Sequence, residues 1–143
     1  MGVGIYIEKL KIAIRRRMAH AGIVDITKAF QGYGDVPLDP SKRPFWMCEY
    51  VHADINDRPD TDIRNKAETI LFQYDLFVPA GKGTLTLSEK EDAIRAEFSP
   101  KSEKRFISGD GAMGEVTRIT ARDDINERYS RRTLLFYVRC YPS

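Results

Sequence analysis

Several stretches of the chain hold side chains of the types that do chemistry, and each was tested for the spacing its chemistry needs. Gly81-Lys82-Gly83-Thr84 lies between a strand-like and a helix-like segment, where a phosphate-binding loop belongs. That loop requires glycine at position 76 and Ser or Thr directly after Lys82; Leu76 and Gly83 stand there, so the stretch reads as a turn. Asp54, Asn56, Asp57, Asp60 and Asp62 offer the oxygens that calcium takes. Pro59 and Asn65, however, occupy the positions where an EF-hand loop needs Gly and Glu. His20, His52 and Cys48 have no metal-ligand spacing. No Gly-x-Ser-x-Gly elbow exists, and Cys48 falls mid-strand, where a thiol packs. Glu89, Glu91 and Asp92 share a polar helix and read as solvating charge. The runs Arg15–Arg17 and Arg131–Arg132 suit phosphate contact or pairing with the acids of a neighbour. These patterns predict no catalytic set, no cofactor and no metal: a chain that is not an enzyme.

The elements around these residues are those of one domain over residues 1–143. A chain of this length hides about 68% of its unfolded surface and needs no staples. Its 23 Lys and Arg against 21 Asp and Glu give a net charge of +2, too balanced for a dedicated nucleic-acid binder. The two cysteines, Cys48 and Cys140, form no disulfide framework. The opening segment MGVGIYIEKLKIAIRRRM has no signal-peptide apolar block, and Tyr6 stands where a myristoylation motif following Gly2 wants Ser or Thr. No apolar run approaches the roughly 20 residues of a membrane span. The expectation is a soluble protein with no membrane partner.

Val3, Ile7, Leu10, Ile14, Met18 and Ala21 recur at helical spacing, and Gly22 ends that helix. A weak strand near Lys28–Gln31 precedes a Gly- and Pro-rich loop. Phe45–Ala53 reads as a strand with Trp46, Cys48, Tyr50 and His52 on one face. The polar segment Asp54–Lys66 reads as a mobile loop. Ile70, Phe72, Tyr74, Leu76 and Val78 alternate with Thr69, Leu71, Gln73, Asp75 and Phe77 and give the clearest strand. Thr86 and Glu89 are spaced as a capping box for a second helix with inner residues Leu87, Ala93, Ile94 and Phe98, stopped by Pro100. Lys104–Ile107 forms a short strand, Ser108–Gly114 a loop, and Glu115–Arg122 pairs with Arg132–Tyr141. Helix, three strands, helix, three strands predicts an α+β domain, a mainly antiparallel sheet with two helices packed on one face. Leu71, Phe77, Leu135 and Tyr137 leave the other face apolar enough to be partly covered by another subunit.

Over nearly its whole length the chain resembles the tail terminator family of long, flexible-tailed bacteriophages, the lambda type. The resemblance rests on IYIEKLKIAIRRRM, on PFWMCEYVHAD, on ILFQYDLFVPAGKGTLTLSEKEDAIRAEFSP and on the ending YSRRTLLFYVRCY. It implies a structural virion protein at the head-proximal end of the tail, assembled in the host cytoplasm. Six copies would form a ring that stops tail-tube polymerisation and offers an attachment surface to the head–tail connector. Partners are then a second copy of the chain, the tail tube protein and the connector protein, with DNA passing through the ring without specific binding. A protomer of this size has a diameter of roughly 35–40 Å. Six such spheres leave a hole one sphere wide, which admits a duplex. Candidate subunit or tail contacts are Asp57, Asp60, Asp62, Arg15, Arg16, Arg131 and Arg132. The competing readings are a head–tail completion or minor tail protein, and a small nucleic-acid-binding α+β module.

Overall fold

The computed structural model describes residues 3–23, 30–32, 45–52, 68–81 and 83–141. Helix α1 (Val3–His20) follows its apolar repeat, and Ile7, Leu10, Ile14 and Met18 are buried together with Tyr6 and Ala13. Its end is closed by a Schellman pair: Ile23 N–H donates to the Met18 carbonyl at 2.9 Å and Gly22 N–H to that of Ala19 at 3.0 Å. Gly22 takes φ +76, which glycine adopts without a Cβ penalty. Ala21 lies beyond the last turn and is exposed, so the expected stripe is one residue too long.

The remaining elements in chain order are β1 (Phe30–Gly32), β2 (Trp46–His52), β3 (Glu68–Pro79), α2 (Leu85–Glu97), β4 (Phe106–Gly109), β5 (Ala112–Ile125) and β6 (Tyr129–Tyr141). They form one sheet ordered β1-β2-β3-β6-β5-β4. β1 pairs parallel with β2, and every other pairing is antiparallel. The fold is α+β. The short β1 stands where Lys28–Gln31 was expected; Lys28 and Ala29 lie outside the described residues, as does the segment Asp54–Lys66.

Register assigns the faces. Ile70, Phe72, Tyr74, Leu76 and Val78 of β3 lie beside Leu134, Phe136, Val138 and Cys140 of β6, in one buried cluster with residues of both helices. Tyr6, Leu10, Ile14 and Met18 enter it from α1, and Leu87, Ile94 and Phe98 from α2 and its end. Both helices therefore cover the same face. Ala93, assigned to the inner side of α2, is exposed. It precedes Ile94 by one residue and so points about 100° away around the helix axis.

Three local expectations need correction. α2 opens at Leu85, after Gly81 (φ +82) and Gly83 (φ +73) have turned the chain out of β3. Thr86 is thus inside the helix, and Thr84, the residue before it, makes no side-chain cap. The strand expected at Lys104–Ile107 begins at Phe106, after a single 3-10 turn at Glu103–Arg105, which Ser102 caps by accepting the Lys104 N–H at 3.1 Å.

The third correction is larger. Ser108–Gly114 is a hairpin rather than a loop, with Asp110 (φ +50) and Gly111 (φ +88) as its two-residue turn. Asp-Gly with both residues at positive φ is the turn that matches strand twist. The other two glycines serve close packing. A Cβ on Gly109 would lie 3.1 Å from Ala13 Cβ, and one on Gly114 would lie 2.7 Å from Val138 Cγ1. The β4–β5 hairpin can therefore slide under α1.

Val138 is β-branched and fully buried, so it has little freedom to move aside. Gly114→Ala is expected to destabilise the protein by about 1–3 kcal/mol. Urea unfolding checks this, and Val138→Ala introduced together with it should cost less than the two changes added.

Candidate functional site

The sheet has a second face, which neither helix covers. Register brings four rows of side chains across it: His52, Leu71, Tyr137 and Arg118; Tyr50, Gln73, Leu135 and Thr120; Cys48, Asp75, Thr133 and Arg122; Trp46, Phe77, Arg131 and Asp124. At the last row Trp46 stacks parallel on Phe77 with centroids 5.1 Å apart, and Tyr129 meets Phe77 edge-on at 5.1 Å. Trp46, Cys48 and Phe77 form a second, smaller buried cluster. The middle rows are polar. His52 Nε2 lies 2.7 Å from Gln73 Oε1, Gln73 Nε2 donates to Asp75 Oδ1 at 2.9 Å, and Thr133 Oγ1 donates to the same oxygen at 2.8 Å. Asp75 is only 1% exposed, and these two donors compensate its removal from water. Beside this chain runs a groove of about 360 Å³ lined by Gln73, Thr120, Arg122, Arg131, Thr133 and Leu135.

Cys48 and His52 share this face but sit four positions apart on one strand, roughly 13 Å. His52 contacts Gln73 instead of the thiol, so the geometry builds a hydrogen-bond chain and no nucleophile–base pair. Cys140 lies in the core on the opposite face from Cys48. His20 is exposed at the end of α1. Among the described residues, no three His, Cys, Asp or Glu side chains form a group that could hold a metal.

The arginines picked out by sequence are not brought together. Arg15 reaches across to β2 and donates to Glu49, whose carboxylate is 2% exposed and also accepts from Tyr74 Oη at 2.9 Å. Lys11 Nζ stands 3.9 Å from the same carboxylate. Burial holds the Tyr74 phenol well above its usual range, and the Glu49 charge adds to this. Arg132 is the most enclosed of the set. It bonds both oxygens of Asp123 at 2.6 and 2.9 Å, Ser88 Oγ at 2.9 Å and Glu91 Oε1 at 3.1 Å, fixing α2 to the β5–β6 hairpin. Those bonds hold the Asp123 carboxyl below its ordinary value. Arg131 pairs with Asp124 at 2.9 Å on the uncovered face. Arg16 alone of the four is exposed, and it lines a groove of about 510 Å³ between α1 and the β4–β5 turn. Asp57, Asp60 and Asp62 lie outside the described residues.

Sequence reasoning missed two groups that hold the molecule together. Arg17, taken as part of a basic run, donates to the carbonyls of Phe106 and Lys104, both at 2.8 Å, and to that of Glu97, while lying over the Phe98 ring. Tyr6 Oη accepts the Met113 N–H at 2.8 Å and donates to the Tyr141 carbonyl at 2.6 Å. Both reach residues 80 or more positions away, which no local spacing signals.

No family model and no curated protein matches the chain. Solved structures do match, and one aligns over 93% of this chain and 94% of its own, with a TM-score of 0.66 at 14% identity. At that identity the likeness shows a shared fold along the whole length and transfers no activity.

Two outcomes follow from the charged groups. Removing one partner of a buried ion pair costs about 3–5 kcal/mol when both are enclosed. Arg15 is partly exposed and Lys11 stands by, so Arg15→Met should cost less, about 2 kcal/mol. Pairing it with Glu49→Leu should recover most of the loss in a double-mutant cycle read by urea unfolding. For Arg132 and Asp123 the sign follows from a lowered folded-state value. The stability is present above the ordinary carboxylate value of about 4 and is lost as pH falls through the lowered one. Arg132→Gln should therefore melt about 3 °C lower at pH 7, equivalent to about 1 kcal/mol. By pH 3 that gap should narrow; a gap constant with pH would show that the Asp123 pair contributes nothing.

Proposed function

We propose that this chain is a tail terminator subunit of a long, flexible-tailed phage: a structural virion protein that forms a ring on the end of the tail tube. The observation that carries the reading is the layout. The four sequence blocks behind the resemblance coincide with α1, with β2, with β3 continuing through α2, and with β6, in the order and topology of one domain. In this role the protein holds a shape. Its charged groups accordingly brace the fold, with Arg15 on Glu49, Arg17 on three carbonyls, Arg105 on Glu115 and Arg132 on Asp123 and Glu91. The uncovered face, apolar at Trp46 and Phe77 and polar at its centre, is of the mixed kind on which protein partners settle.

In the ring, copies of the chain pack head to tail around a channel wide enough for DNA, and the two ring faces meet the tube protein and the connector protein. Closed rings need two different contact patches per subunit, and each contact can be individually weak. The second reading, a nucleic-acid-binding module, is favoured by one feature: Arg118 lies over the Tyr137 ring at 5.2 Å and Arg122 lines the groove on the same uncovered face. A neighbouring head–tail completion or minor tail protein of similar size is told apart by which end of purified tails the protein occupies.

The purified protein should show a concentration-dependent equilibrium between monomer and hexamer by native mass spectrometry, with six-membered rings in negative-stain micrographs. Twofold dimers with no ring, either in solution or on tails, would remove the terminator reading. Steeply salt-dependent binding to nucleic acid would favour the module instead.

A further inference from the structure

We infer that the β5–β6 half of the uncovered sheet face binds the phosphate backbone of nucleic acid, through Arg118, Arg122 and Arg139 and without reading base sequence. The inference goes beyond the terminator reading and does not depend on ring formation. Other arginines are taken up inside the molecule: Arg15 by Glu49, Arg17 by three carbonyls, Arg95 by Glu91, Arg105 by Glu115, Arg131 by Asp124 and Arg132 by Asp123. Arg118, Arg122 and Arg139 are exposed and make no ion pair among the described residues. Register puts all three on the same side of the sheet, Arg118 beside Tyr137, Arg122 beside Thr133, and Arg139 between Thr69 and Glu115. Arg16 and Arg128 are also without an ion pair among the described residues, but they stand apart, on α1 and at the hairpin tip.

The acids of this face are already engaged. Asp124 is held by Arg131 at 2.9 Å. Glu115, opposite Arg139, is held by Arg105 at 2.8 Å and by the Tyr141 hydroxyl. Asp75 is buried and accepts from Gln73 and Thr133. Counting these three acids in full against Arg105, Arg118, Arg122, Arg131 and Arg139 still leaves the face two positive charges in excess. Beyond the face, Glu127 at the tip stands next to Arg128, and neither makes an ion pair among the described residues. The small net charge of the whole chain therefore conceals a local surplus of the sign that phosphates require.

The donors on this surface decide the class of ligand. The groove of about 360 Å³ is walled mainly by Gln73, Thr120, Arg122, Arg131 and Thr133. Arg, Thr and Gln are side chains that meet phosphate oxygens. A protein partner is anchored instead by large side chains seated in apolar pockets, whereas these walls are mostly polar. Two of the arginines are also held in place. Arg118 lies over the Tyr137 ring at 5.2 Å and Arg139 over the Tyr141 ring at 5.8 Å, so less side-chain freedom is left to lose on binding. Arg118 and Arg122 are four residues apart on β5, roughly 13 Å, and Arg139 continues the line two positions past Tyr137. A regularly repeating charge can answer such a line, and each strand of a duplex offers one about every 3.4 Å. Phosphate contacts alone carry no sequence information.

Fluorescence anisotropy of a short labelled DNA duplex, titrated with the full chain, tests this. Three phosphate contacts give a log–log salt slope of about −2.7, so raising salt from 50 to 200 mM should weaken binding about fortyfold. Two duplexes of unrelated sequence should behave alike. Arg118→Gln, Arg122→Gln and Arg139→Gln should each weaken binding at 50 mM salt and reduce that salt effect to about twelvefold. Lys101→Gln removes one exposed charge elsewhere and should leave both readouts as in the parent. All four positions are exposed, so the folds should survive, and melting curves check that. The inference is overturned if the duplex is not bound at 50 mM salt up to the solubility limit, or if Lys101→Gln acts like the arginine variants. A poly-glutamate peptide that binds as tightly, with the same losses in each variant, would reassign the surface to acidic protein and overturn it too. A salt effect of about a thousandfold or more would overturn it from the other side, since six to ten contacts mark a dedicated nucleic-acid module. Rings in micrographs without duplex binding leave the terminator reading and sink this surface.

Discussion

The structure depends on burying one face of β3. This twelve-residue strand is paired on both sides, with β2 and with β6, and its inward residues Ile70, Phe72, Tyr74, Leu76 and Val78 are all 4% exposed or less. Each such side chain removed from water contributes about 1.5–3 kcal/mol. A sheet face of that kind must be roofed, and the chain supplies two helices to do it. α1 lies over the β4 and β5 side, and α2 lies over β3 and β6. The glycines at 109 and 114 answer the same constraint. The roof can close over the β4–β5 hairpin only where no Cβ intervenes.

Roofing one face brings polar groups under cover, and their satisfaction explains where the chemistry-bearing side chains went. Glu49 points inward from β2 and is 6% exposed, so it needs Arg15 and the Tyr74 hydroxyl. The Tyr141 hydroxyl and Arg105 hold Glu115 below the ordinary carboxylate range, closing the open end of the β4–β5 pair. Arg95 ties α2 to the Ile119 carbonyl at 3.1 Å. A catalytic site needs groups left under-satisfied and convergent on one point. Here the enclosed charges of the described residues are matched in pairs spread along the seams between elements.

Elements with strong periodicity were legible in the sequence, and elements set by tertiary contact were not. The alternation of Ile70 through Val78 and of Leu134 through Cys140 gave the right face for both central strands, because a period of two fixes side as well as type. Gly22 gave the end of α1 correctly. The Asp110-Gly111 hairpin was hidden by three glycines within six residues, which read as a loop. Only the structure separates the glycine that turns the chain from those that let helix and strand touch. The candidate contacts were the least legible. Arg15 and Arg132 look like solvent-facing charge by composition, and only register reveals Glu49 and Asp123 waiting for them. Ile125 stands alone among polar neighbours with no spacing to mark it, and only the hairpin shows that it is 65% exposed.

That hairpin poses a problem that its charges help to solve. β4 pairs only with Ala112–Glu115, so beyond this point β5 has β6 as its one strand neighbour among the described residues. A long strand with an open edge invites a second copy to add on by backbone pairing, and such growth has no built-in limit. Along that stretch the exposed residues include Arg118, Arg122, Asp123 and Asp124, and a register irregularity falls between Val116 and Arg118. Charges and bulges are the devices that make an edge unattractive.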